Sequence, residues 1–155
     1  MSQPIPLRVL TVNVLAAAAV ILSLSSPSLA LSLLRARVSV DASDPAHVAV
    51  ASELSVVADG EVTVADVSLY LVSDITVQGA ESEGVALEMQ EGARTDASLG
   101  TWIIRLPDPL GPGASRSIVV RTEVKGGDPA SGITVGTDGG FLLPGAGWFP
   151  TLDPW

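Results

Sequence analysis

Cysteine is absent from all 155 residues, histidine occurs only at His47, lysine only at Lys125 and asparagine only at Asn13. Each scarcity removes a class of chemistry. Without cysteine there is no disulfide frame, no thiol nucleophile and no thiolate-bound zinc. A single imidazole cannot supply the two or three that a usual catalytic zinc site requires, and no metal or other cofactor is implied. Cations are scarce too: Lys+Arg 8 stand against Asp+Glu 17, a net charge of −9. An acidic surface repels phosphate backbones, which excludes nucleic acid as an expected partner.

What the chain does have is one long apolar run. Val9–Leu24 reads VLTVNVLAAAAVILSL without a charge; Arg8 precedes it, and Pro27 and then the small residues Ser28-Leu29-Ala30 follow. A basic start, an apolar stretch and small residues at the cleavage position are the order of a secretory signal, expected as a helix and cut after Ala30. The alternative is an uncleaved anchor, and only then would the membrane be a partner. An anchor needs about 20 apolar residues, whereas this run is shorter and carries Thr11, Asn13 and Ser23. No cysteine is present to carry a lipid, and no Arg-Arg pair marks the twin-arginine route. The expected location is therefore extracytoplasmic: periplasmic, cell-surface or secreted. The run also accounts for part of the mean hydropathy of +0.46. Residues 31–155 suffice for one domain with one core. They contain no asparagine, so N-linked glycosylation is excluded.

Period two pervades those residues, the signature of strands with one face on a core. Leu34, Ala36, Val38 and Val40 alternate with Arg35, Arg37, Ser39 and Asp41. In 47–58 the apolar set is Val48, Val50, Leu54 and Val56, opposite His47, Glu53 and Ser55. Asp59-Gly60 then has the composition of a tight hairpin into a strand over 61–72, with Val67, Leu69 and Leu71 on one face. The alternation slips at Ala65-Asp66, where a bulge is expected. Further strands are expected over 75–78, 85–90, 99–106 and 117–124. Between the last two, Pro107-Asp108-Pro109-Leu110-Gly111-Pro112-Gly113 is expected to be neither helix nor central strand. No 3.6-residue stripe appears after residue 30. Seven or eight short antiparallel strands separated by Gly/Pro turns make an all-β sandwich the expected architecture.

The tail, 139–155, differs. Phe141, Trp148, Phe149 and Trp155 are four of the six aromatic residues in the protein, interleaved with Pro144, Pro150 and Pro154. Large rings gain most by burial, so they are expected to cap one end of the sandwich; alternatively they form a docking surface for another domain.

Catalytic motifs are missing. There is no H-E-x-x-H, no G-x-S-x-G elbow and no Gly-rich loop ending in Lys-Ser/Thr. Gly111-Pro112-Gly113 and Gly145-Ala146-Gly147 read as turns, His47 as a surface residue and Lys125 as a strand end. Glu81, Glu83, Glu88, Glu91 and Asp96 form a Gly-rich acidic connection. Its spacing fits no calcium loop, so a solvated loop is expected. Nothing selects a glycosidase pair among the carboxylates.

The order of pieces nevertheless resembles a known family. VADVSLYLVSDITVQGAESEG (64–84), TWIIRLPDPLGPGASRSIVVRTEVKGG (101–127) and GGFLLPGAGWFP (139–150) are similar to the N-terminal β-domain of the aminopeptidase N family of zinc metallopeptidases. Trp148-Phe149-Pro150 is the most particular piece, since bacterial members often carry Trp-Tyr/Phe-Pro just before the catalytic part. The resemblance implies a sandwich that packs on a thermolysin-like domain and helps shape the substrate entrance. The G-x-M-E-N and H-E-x-x-H motifs lie downstream in the family and are not in this sequence, so no catalytic residue carries over. The expectation is an exported, non-enzymatic docking or substrate-entrance module, or a truncated peptidase. Its partner would be a peptidase catalytic domain or an envelope protein, met through Phe141, Trp148, Phe149 and Trp155. The rival expectation is a structural, adhesive or carbohydrate-binding module of the cell envelope.

Overall fold

The computed structural model describes residues 10–14, 30–44, 46–72, 75–92, 99–125, 133–136, 139–142 and 149–152; for 10–14, 133–136 and 139–142 it describes the backbone alone. All the regular structure among the described residues is β. In chain order the strands are β1 (Leu10–Val14), β2 (Leu31–Asp41), β3 (His47–Ala58), β4 (Val64–Val72), β5 (Thr76–Ser82), β6 (Val85–Glu91), β7 (Leu99–Leu110), β8 (Ser115–Lys125), β9 (Ile133–Gly136) and β10 (Gly139–Leu142). Eight of them form one antiparallel sheet in the order β1-β2-β3-β8-β5-β6-β7-β4, and β9 and β10 pair separately. The eight-stranded sheet curls so that β2, β3 and β8 face β4 and β7. Ala36, Leu54, Val56, Ile118 and Val120 from the first layer pack with Val67, Leu69, Ile104 and Leu106 from the second. The expected antiparallel sandwich is therefore present.

Burial follows the alternation of the sequence. Val48, Val50, Leu54 and Val56 of β3, Val67, Leu69 and Leu71 of β4, and Ile118, Val120 and Val124 of β8 are all buried. One strand changes phase. β2 has an extra residue between Leu33 and Arg35, so Leu34, expected on the apolar face with Ala36, Val38 and Val40, is instead 57% exposed. Leu31 and Leu33 pack on the core in its place. A one-residue bulge turns every side chain on one side of it to the opposite face.

The chain crosses between layers where a hairpin was expected. Gly60 has the positive φ of a turn residue, 70°, yet β3 and β4 are not neighbours. Both edges of β3 are already taken, by β2 and by β8, so the chain passes over to pair with β7 instead. The two-residue hairpin lies elsewhere, at Glu83-Gly84, with φ of 52° and 78°, joining the Ser82–Val85 pair of β5 and β6. The acidic stretch thus belongs largely to a strand–turn–strand unit rather than to a loop; Asp96 lies outside the described residues.

The slip at Ala65-Asp66 coincides with a register shift, as expected, but the surplus residues are on β7: Val64 faces Leu110 while Asp66 faces Arg105. β7 therefore continues through Pro107 and Pro109, contrary to the sequence expectation, because the ladder skips the positions where a missing N–H would matter. Beyond them Gly111-Pro112-Gly113-Ala114 closes a turn, with the Ala114 amide donating to the Gly111 carbonyl at 3.0 Å. Pro in the second place and Gly113 at φ 71° in the third suit a type II turn.

Of the segment expected to be a signal helix, Leu10–Val14 is strand, paired with Ala36–Val40; apart from Ala30, its remainder lies outside the described residues. So does Gly145-Ala146-Gly147.

Candidate docking surface

The expected docking residues are the four aromatic side chains of the tail. Trp148 and Trp155 lie outside the described residues, and Phe141 is placed by its backbone alone, in β10 opposite Thr134. Phe149 is half-buried and packs against the core cluster of Val38, Val48, Val50, Leu71, Ile75 and Val124. Pro150 is buried, and Leu152 packs against the other cluster. Between them Thr151 pairs with Tyr70 of β4: the Tyr70 amide donates to the Thr151 carbonyl at 2.9 Å, and the Thr151 amide donates back at 3.1 Å. Residues 149–152 are thus a strap along the free edge of β4, with an apolar anchor at each end. Phe149 caps the core. Beside the strap a cleft of about 180 Å³ opens between the layers, lined by Ala30, Leu31, Val64, Asp66, Ser68 and Leu152.

The outer face of β2, β3, β8 and β5 is polar. Arg37 meets Glu53 at 3.5 Å, Arg121 meets Glu81 at 2.7 Å, and the Ser117 hydroxyl donates to Glu53 at 3.3 Å. His47 Nδ1 lies 2.7 Å from Glu123 Oε1, and Gln78 Nε2 donates to the other carboxylate oxygen at 2.9 Å. The hydrogen bond and the negative charge of Glu123 raise the His47 pKa above its ordinary value; Asp44 adds to the rise and Lys125 opposes it. At the end of β2, the Ser43 backbone amide donates to Asp41 Oδ1 at 3.0 Å and lowers the Asp41 pKa. These pairs are exposed, where screening leaves little net stabilisation. Among them is a shallow depression of about 240 Å³ with Ser39, Asp41, Ala49, Ala51, Gln78 and Arg121 on its wall.

The sequence placed His47 on the surface, as found, but not its partner. Glu123 is 76 positions away, and only the β3–β8 register brings the two together. Among the described residues no group of three or more His, Asp or Glu side chains is arranged to hold a metal ion, and no helix is long and apolar enough to cross a membrane.

No family model and no curated protein matches the chain. Solved structures similar to it are M1 zinc metallopeptidases. The Deinococcus radiodurans enzyme is 19% identical with a TM-score of 0.41, over 51% of this chain and 16% of that one. A variant of it bound to a Tyr-Ser-Ala substrate is 17% identical with a TM-score of 0.47, over 69% and 25%. A two-domain M1 zinc metallopeptidase variant bound to L-tryptophan is 18% identical with a TM-score of 0.42, over 66% and 26%. The likeness is a partial one of strand arrangement and shows no family membership. The chain spans about a quarter or less of the length of these structures.

Proposed function

We propose that the protein is an exported, non-catalytic β-sandwich that works by docking, packing against a separate peptidase catalytic domain as the N-terminal domain of aminopeptidase N-type enzymes does. The strap carries this reading. Phe149 and Pro150, two thirds of the Trp-Phe-Pro element, are held at the β4 edge beside an open interlayer cleft. Trp148 and Trp155 flank that strap in sequence, and aromatic side chains are the residues that most often anchor an interface. Export has its own support. β2 begins at Leu31, the residue after the expected cut. The absence of H-E-x-x-H and the single histidine support a role without catalysis.

The test starts with the DNA that follows the codon for Trp155, read in all three frames. A chain with H-E-x-x-H is expected there; made separately and mixed with residues 31–155, it should form a complex in sedimentation that Trp148→Ala weakens about tenfold or more. If such a chain is encoded and no complex forms, docking is wrong. If none is encoded, the peptidase partner is wrong and an independent envelope module takes its place. Intact mass of the exported protein is expected to give Leu31 as the first residue.

A further inference from the structure

The eight-stranded sheet has two ends, β1 and β4. The β4 end is covered by the strap through the Tyr70–Thr151 bridge. Among the described residues the other end is covered by β1 alone, and β1 belongs to the segment whose removal the proposed function requires. Cleavage after Ala30 would strip β2 and leave a row of unpaired N–H and C=O groups along Ala36–Val40, the kind of edge that recruits another strand.

We infer that in the processed protein this edge is taken by β2 of a second copy, forming a two-fold dimer with one continuous sheet. The sequence of β1 indicates what the edge accepts. In the observed register Leu10 faces Val40, Val12 faces Val38 and Val14 faces Ala36. An antiparallel β2 centred on Val38 would set Ala36, Arg37, Val38, Ser39 and Val40 where Leu10, Thr11, Val12, Asn13 and Val14 now lie. Both segments read apolar, polar, apolar, polar, apolar. β1 has the pattern of a stand-in for β2.

Charge selects the same register. With Val38 opposite Val38 of the second copy, Arg35 falls opposite Asp41 of that copy, and the symmetry makes the pair twice. Arg35 and Asp41 are both exposed and share the polar face, so each pair would be a cross-strand pair of opposite charges. On the other face Ala36 would meet Val40 and Val38 would meet its own copy, extending the apolar side of the sheet across the two-fold axis. Arg37, which is brought near the axis, already has Glu53 as a counter-charge. A self-complementary patch is what an isologous interface requires.

The inference shares with the proposed function only the loss of residues 1–30 and needs no peptidase partner. A chain beginning at Leu31 tests it directly, whatever the fate of the leader, because it keeps β2 and every side chain described as buried. Sedimentation equilibrium up to about 100 μM is expected to show a dimer, since a strand-edge contact is small and such interfaces are weak. Arg35→Asp places like charges opposite one another twice and should weaken the dimer about tenfold. Adding Asp41→Arg to the same chain exchanges the charges and should restore it. A monomer throughout that range, a dimer unmoved by Arg35→Asp, or a double variant that stays weak would each overturn the inference. Unchanged circular dichroism in the variants confirms that pairing, not folding, is being read.

Discussion

His47 shows how a single side chain can report on the fold. It is exposed, and its ring pairs with Glu123 across the β3–β8 ladder. Because that contact raises its pKa above 6.5, the folded state binds the proton more tightly than the unfolded chain. The resulting stabilisation is complete below about pH 6.5 and is lost as pH rises through the folded value. As the only imidazole in the protein, it gives an unambiguous ring signal in proton NMR. Its titration midpoint should lie above 6.5 in the folded protein and fall back toward that value in Glu123→Gln. A midpoint at or below 6.5 in the unaltered protein would mean that the pair does not form in solution. Asp41 runs in the opposite sense: its lowered pKa contributes stability that disappears as the solution is acidified.

At the scale of elements, the β5–β6 hairpin carries an avoidable strain. Both turn residues have positive φ, and while Gly84 tolerates this, Glu83 at 52° does not do so readily. Glu83→Asn puts a residue that accepts the left-handed region into an Asn-Gly turn, and should stabilise the protein by about 0.5–1 kcal/mol. An increased urea midpoint with an unchanged slope is the expected reading; no increase would show that the turn relaxes in solution. The same hairpin explains what the sequence could and could not reveal. Strand positions were legible in β3, β4 and β8 because one face of each is buried and alternation records it. Partnership was not. Asp59-Gly60 and Glu83-Gly84 look alike as dipeptides, and only the occupancy of both β3 edges decides that the first crosses between layers while the second closes a hairpin. Pro107 and Pro109 misled for the reverse reason, since proline excludes a ladder position rather than an extended backbone. In the tail, composition marks out the aromatic residues, but the bridge of Thr151 to Tyr70 left no trace in local pattern.

The molecule as a whole has a core in two parts. One cluster centres on Leu54, Leu69 and Ile104, the other on Val48, Val50 and Leu71. On β3 and β8 the seam between them is marked by Ser52 and Thr122, both essentially fully buried, whose hydroxyls have no hydrogen-bond partner among the described residues. An unpaired buried hydroxyl costs about 1–3 kcal/mol, so Thr122→Val, which keeps the shape, and Ser52→Ala should each raise the unfolding free energy, by about 1 kcal/mol. Denaturant titration of the two variants measures it, and destabilisation in both would reveal a shared partner such as a buried water. The β3–β8 ladder that runs through this seam also sets a schedule. Residues 47–58 find one of their two neighbours only among residues 115–125, and β4 must wait for 99–110. A chain emerging from its amino terminus can therefore complete neither layer until most of its length is free. Such non-local pairing folds slowly, over milliseconds to seconds, and a polypeptide that stays open for that long is one a translocation channel can still thread.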